Sequence, residues 1–262
     1  MRPTAIRRTA VAAACAMSLT LLATACGGDS DSGSKAADGK GKESAAAQPA
    51  AKALTAAELD KAALVQGDVK GHKVAETGKA DVVAASDVTA DKEACEPLAD
   101  ALMGAELGKP AAVNRRKVIS EPKKDQKDKL DSEDAGEAFA AAFDITTTLT
   151  SLASYDGKGA QDTVESLRTA ATACSGGFTL TAAGTKQKVV TIKEEKISGG
   201  EEAAAWTLTV EQDGEKAPLK LVVARQGATV ASFSALNLAA SGTGQDFELP
   251  TAVVDAQLAK LA

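Results

Sequence analysis

The clearest pattern in the chain is alternation. Trp206, Leu208 and Val210 take turns with Thr207, Thr209 and Glu211, the signature of a strand with one buried face. Asp213-Gly214 then signals a tight hairpin, and Leu219, Leu221 and Val223 continue the alternation on the return. Gly227 punctuates the chain before a third run over 230–238, and 189–197 and 144–152 also read as strands. A different period governs Ala160, Val164, Leu167, Ala171 and Cys174, which recur at helical spacing with Asp162, Glu165 and Arg168 off that face. Val254, Leu258 and Leu261 repeat that spacing after Pro250-Thr251, and a shorter helix is expected over 96–103. Hairpin-clustered strands with helices between some of them predict an α+β domain, an antiparallel sheet with about three helices packed against it. The βαβ alternation of a doubly wound enzyme is absent.

The domain start is also legible. Thr55 and Glu58 are spaced for a capping box, and Leu54 and Leu59 take the staple positions around it. From 54 to 262 no linker-like break separates two cores. A single domain of this length buries roughly 70% of its unfolded surface.

Residues 1–25 are of another kind. Arg2, Arg7 and Arg8 precede a run, 10–25, that is small or apolar and carries no charge. This is the plan of a secretory signal peptide, too short to span ~30 Å of hydrocarbon comfortably as a helix. Leu22-Ala23-Thr24-Ala25-Cys26 resembles the lipobox of bacterial lipoproteins. That resemblance implies a diacylglycerol thioether on Cys26 and cleavage before it, which would tether the protein to the membrane. Two or three acyl chains hold firmly where one holds only marginally. An ordinary secretory signal ending near a cysteine is the alternative, and the export route, general secretory or twin-arginine, stays open. Residues 26–53 hold glycine, serine, aspartate, lysine and alanine with no bulky apolar side chain. Such a segment cannot offset its ordering entropy, and it would hold the domain roughly 25 to 30 Å from its anchor. The expected location is therefore the outer face of the cytoplasmic membrane, facing the cell wall.

Charge narrows the function classes. The whole chain has a formal net charge of −6, and loss of the three leader arginines makes it more acidic still. A nucleic-acid binder should instead show a basic patch, so nucleic acid is not an expected partner. Of the four cysteines, Cys15 leaves with the leader and Cys26 takes the lipid, leaving Cys95 and Cys174. In an oxidising compartment a structural disulfide is the natural pairing. Two separate buried thiols are the alternative.

The stretches "ACEPL" at 94–98, "LASYDGKGAQDTVESLRTAATACSGGFTL" at 152–180 and "LVVARQGATVASFSALN" at 221–237 resemble the sensor domain on the extracellular side of certain actinobacterial serine/threonine kinases. The likeness covers most of 54–262. It implies an antiparallel, strongly bent sheet with helices against it and a cleft on the open side. The chain has no kinase of its own, so signalling would pass through a partner.

Other candidate chemistry is thin. His72 is the sole histidine, and no H-x-x-x-H, C-x-x-C or G-x-S-x-G arrangement supports it; an exposed strand or loop residue is expected. The glycines at 176–177 and 199–200 lack the lysine-hydroxyl pair of a phosphate loop and read as a helix stop and a hairpin connection. Residues 114–134 are the most charged stretch. Arg115, Arg116, Lys117, Lys123 and Lys124 could grip phosphate, but Asp125, Asp128, Asp131, Glu133 and Asp134 interleave with them, and a solvated loop is expected. Glu194 and Glu195, neighbours on a strand, would face opposite ways and form no acid/base dyad, and both this pair and Glu201-Glu202 are expected on solvent. No catalytic residue, metal site or cofactor is assigned. The expectation is a non-enzymatic module binding an envelope ligand or a protein partner, with a lipid or glycolipid carrier as the alternative. A carrier requires an apolar cavity of several hundred Å3, whereas a partner-binding module requires a shallower cleft with a polar rim.

Overall fold

Alternation translates directly into a sheet. The computed structural model describes residues 52–121, 129–130 and 134–262. The leader, Cys26, most of the tether, and Lys123, Lys124, Asp125, Asp128, Asp131 and Glu133 lie outside the described residues. The strands are β1 (His72–Glu76), β2 (Val88–Ala90), β3 (Ala112–Ser120), β4 (Thr146–Ser154), β5 (Phe178–Ala182), β6 (Thr185–Glu195), β7 (Glu202–Gln212), β8 (Glu215–Gln226) and β9 (Thr229–Asn237). They form one sheet of nine in the order β1-β3-β4-β9-β8-β7-β6-β5-β2. Every neighbouring pair is antiparallel. The Asp213-Gly214 hairpin forms as expected. Gln212 pairs with Glu215 across it, and Asp213 and Gly214 have φ of 53° and 88°, the left-handed pair that a type I′ turn needs.

The helix count departs from the expected three. The described residues hold six: α1 (Ala56–Ala62), α2 (Glu96–Leu102), α3 (Ala135–Phe143), α4 (Gly159–Ala173), α5 (Leu238–Thr243) and α6 (Thr251–Leu261). α3 reads AGEAFAAAF, so nearly every position is apolar or small and no 3.6-residue stripe stands out. α5 is one short run of small residues capped by Asn237, whose side chain accepts from the Ala240 amide. At the domain start the capping box forms as read: Thr55 accepts from the Glu58 amide, and Glu58 reaches back to the Thr55 amide at 2.8 Å.

Both faces of the sheet are covered, rather than one being left open. On the first face α2 and α4 pack over Ala204, Trp206, Leu208, Leu221 and Val223. On the second, Leu59 of α1 and Val253 and Val254 of α6 pack over Val118, Leu152, Val222 and Phe233. Successive residues of β8 thus serve opposite cores, as the two-residue period of a strand dictates. Among the described residues, the members of both buried clusters lie between 54 and 261, and this body forms one compact unit with its own cores.

The charged stretch is a further correction. Its first third is not a loop but β3, an interior strand between β1 and β4. Its cations project to both faces and each meets an acid. Arg116 pairs with Asp60 of α1 at 2.7 Å, Lys117 with Asp81 at 2.7 Å, and Arg115 with Glu106 at 3.8 Å. The hydrogen bond from Arg116 holds the Asp60 carboxyl below its usual range, and that from Lys117 does the same for Asp81. Three engaged cations do not make a phosphate grip.

Candidate functional site

The most concentrated chemistry on the first face lies in the groove between α2 and α4. Cys95 is the residue before α2, and Cys174 caps the end of α4. The two are joined by a disulfide, with Cα atoms 5.9 Å apart. The bond ties the start of one groove wall to the end of the other. Pro97 sits in the first turn of α2, where a missing amide hydrogen costs nothing. One turn separates Glu96 from Asp100, so both carboxylates look the same way.

The floor is apolar. Leu107, Tyr155 and Leu167 are buried, and the Tyr155 hydroxyl donates to the Leu107 carbonyl at 2.7 Å. That bond fixes the loop after α2 to the chain leaving β4. Burial pushes the Tyr155 phenol up to about 12, so it stays protonated as a donor. Gly159 opens α4 directly against Tyr155, where a Cβ would come within 2.8 Å of the Tyr155 Cβ. Only glycine lets the helix begin so close to the floor.

Over this floor stands an acidic rim. The groove, about 530 Å3, is lined by Glu93, Glu96, Asp100 and Asp162 and by one cation, Lys109. A second depression of about 390 Å3 continues it along α4 past Asp162, Glu165 and Thr169. Burial, reinforced by the Glu96 carboxylate, raises Asp100 to about 6. Among the described residues no three His, Cys, Asp or Glu side chains converge as a metal site. The carboxylates are instead strung along a trough, a layout suited to several positive charges on one extended ligand.

No protein-family model matches the chain, and no curated protein matches it. Among solved structures, the chain is similar to the extracellular domain of PknH from Mycobacterium tuberculosis. The similarity covers 80% of this chain and 95% of that one, at 11% identity and a TM-score of 0.44. Like the domains named by the sequence resemblance, it is an extracellular domain.

The other residues singled out in the sequence lie elsewhere. His72 begins β1, with Nδ1 3.0 Å from the Lys70 carbonyl oxygen. Gly177 turns the chain from α4 into β5 at a φ of 86°, and Gly199-Gly200 lies in the β6–β7 connection. The paired carboxylates are less free than expected. Glu201 and Glu202 both bind Arg225. Glu195 is only part-exposed: it takes an ion pair from Lys193 at 3.1 Å and accepts from the Thr207 hydroxyl at 2.9 Å, which together hold it below its usual range. Glu194 does face solvent.

The groove itself was not assigned from sequence, though a signal existed. Two like charges four residues apart on a short helix repel, and an acidic first helix facing Asp162 and Glu165 of the next is a pattern that stability alone does not favour.

Proposed function

We propose that the domain is a non-enzymatic, sensor-like binding module that works outside the cytoplasm, held to the membrane through lipid on Cys26. Its groove between α2 and α4 receives a basic segment of a protein partner. The observation that carries this reading is the acidic rim over an apolar floor, clamped by the Cys95–Cys174 bond. A disulfide suits an oxidising compartment, and the lipobox-like segment before Cys26 supplies the address. A lipid carrier would need a closed apolar chamber, whereas this groove is open and rimmed by charge, which favours the partner-binding reading.

The test is calorimetric titration of residues 52–262 with tetralysine at low salt, repeated with Glu96→Gln/Asp100→Asn/Asp162→Asn. Saturable binding that falls at least tenfold in the triple variant supports the groove as the site. Equal binding by both proteins refutes it. The anchor has its own test: Cys26→Ser is expected to move the protein from the membrane to the soluble fraction, and an unchanged membrane fraction would refute lipidation there.

A further inference from the structure

One lysine of the sheet is buried, where the strand pattern calls for an apolar side chain. Lys220 lies in β8, an interior strand, with a side chain only 3% exposed. Its neighbours on that face of the sheet include Ala205, Val222 and Phe233. Burying an ammonium costs several kcal/mol, and a well-packed apolar residue in its place is often neutral or stabilising.

The charge is met by one hydroxyl and one carboxylate. Lys220 Nζ donates to Thr207 Oγ1 at 2.6 Å, and the Thr207 hydroxyl in turn donates to Glu195 at 2.9 Å. The counter-ion is Asp246, 2.7 Å away and 60% exposed. Asp246 belongs to residues 244–250, an irregular strap joining α5 to α6. Among the described residues, no backbone hydrogen bond ties 245–250 to the sheet. The strap is held by the Asp246 pair, by the Phe247 ring with its centroid 5.5 Å from the ammonium, and by Leu249 against the second core. Segments with so few ties belong to the low-stability end of a fold.

Around this point opens a pocket of about 440 Å3, lined by Lys193, Glu195, Lys220, Phe247, Glu248 and Leu249 beside Asp246. We propose that Lys220 is the floor of a second binding pocket, which takes a small organic carboxylate with an apolar tail in exchange for Asp246. The incoming carboxylate replaces a carboxylate at the ammonium, and the tail lies against Phe247 and Leu249 as the Asp246 side chain turns out to solvent and releases its bond to the Phe247 amide. Charge selects the class. Two lysines and three acids give the closed pocket a formal charge of −1, and removing Asp246 brings it to zero. A neutral site suits a singly charged carboxylate better than a doubly charged phosphate. The pocket lies on the second face of the sheet, away from the acidic groove, so this inference does not depend on the function proposed above.

The test titrates residues 52–262 with 4-phenylbutyrate, with phenyl phosphate as the charge control. Asp246→Asn removes the built-in competitor while keeping the strap's shape, and a site freed from a closed state gains affinity by the closed-to-open ratio. The expected result is tighter 4-phenylbutyrate binding in Asp246→Asn by roughly fivefold or more, loss of binding in Lys220→Met with its unfolding midpoint retained, and weaker binding of phenyl phosphate. In the unmodified protein, the probe should also speed hydrogen exchange of the 245–249 amides. Binding no tighter in Asp246→Asn, binding that survives in Lys220→Met, or no saturable binding by either the unmodified protein or Asp246→Asn would each overturn the proposal.

Discussion

The two faces of the sheet are secured in opposite ways. On the first, α2 and α4 are joined covalently and packed around a continuous apolar core, and the groove they form is rigid at its closed end. On the second, α1 and α6 pack on an apolar core of their own, with no disulfide among the described residues, and polar latches join them. Gln257, fully buried, donates from Nε2 to the Ala62 carbonyl at 2.7 Å and accepts from the Leu64 amide at 3.3 Å. Lys260 pairs with Asp68 at 2.7 Å. A covalent clamp keeps a preformed groove in shape, which limits the ordering cost of binding. Polar latches can be exchanged for a ligand's own polar groups. On the functions proposed above, the first face would receive a partner unchanged and the second would rearrange.

The strongest way to break this contrast is to remove the clamp. Cys95→Ser/Cys174→Ser opens a loop with a sequence separation of 79, and chain entropy puts the loss near ~4.5 kcal/mol before any relief from residual structure. Urea unfolding should show it. Native-state hydrogen exchange should show protection falling first at 93–109 and 159–175, with the Leu64 amide less affected. An equal loss on both faces would mean the bond stabilises the whole body rather than the groove.

Gln257→Leu attacks the second face. It leaves the buried Leu64 amide and the part-buried Ala62 carbonyl without their partner, at a cost of about 1–3 kcal/mol. The expected signature is the mirror image: loosened α1 and α6 with the groove intact.

Asp100→Asn sharpens the contrast in the other direction. Burial, with the Glu96 carboxylate beside it, raises Asp100 to about 6, above the ordinary aspartate value of 3.8. The folded protein thus holds this proton more tightly than the unfolded chain. The group's contribution to stability is full below about pH 4 and is lost as pH rises through about 6. The variant should therefore be more stable than the unmodified protein at pH 7.5, by about 1–2 kcal/mol after solvent screening, and the gain should vanish near pH 4. Unfolding midpoints across pH 4 to 8 check it. Thr55→Ala, which removes the α1 cap, should cost about 1 kcal/mol or less at any pH in that range.

How much of this the sequence discloses depends on whether one face or two decide a segment's pattern. β7 and β8 show their alternation because threonine, lysine or glutamate occupies several of the positions between buried residues. β3 hides it. Arg115 and Lys117 point to one face and Arg116 to the other, each neutralised by an acid distant in sequence, so the run reads as a charged loop. β1 and β2 are short. The β5–β6 hairpin is masked by Ala183, a non-glycine residue at a φ of 48° where Asn or Gly would announce the turn. The groove was hidden for a related reason. Glu96, Asp100 and Asp162 each look like ordinary helix-surface acids, and only tertiary packing sets them across one trough.

The central claim is that this trough binds basic chain, and nuclear magnetic resonance tests it most directly. Titrating labelled residues 52–262 with tetralysine at pH 7.5 should shift amides at 93–100, 107–109 and 155–170. Affinity should fall as pH drops through about 6, where Asp100 takes up its proton. Shifts spread evenly over the other acidic surfaces, or an affinity indifferent to pH between 5 and 7.5, would contradict the account.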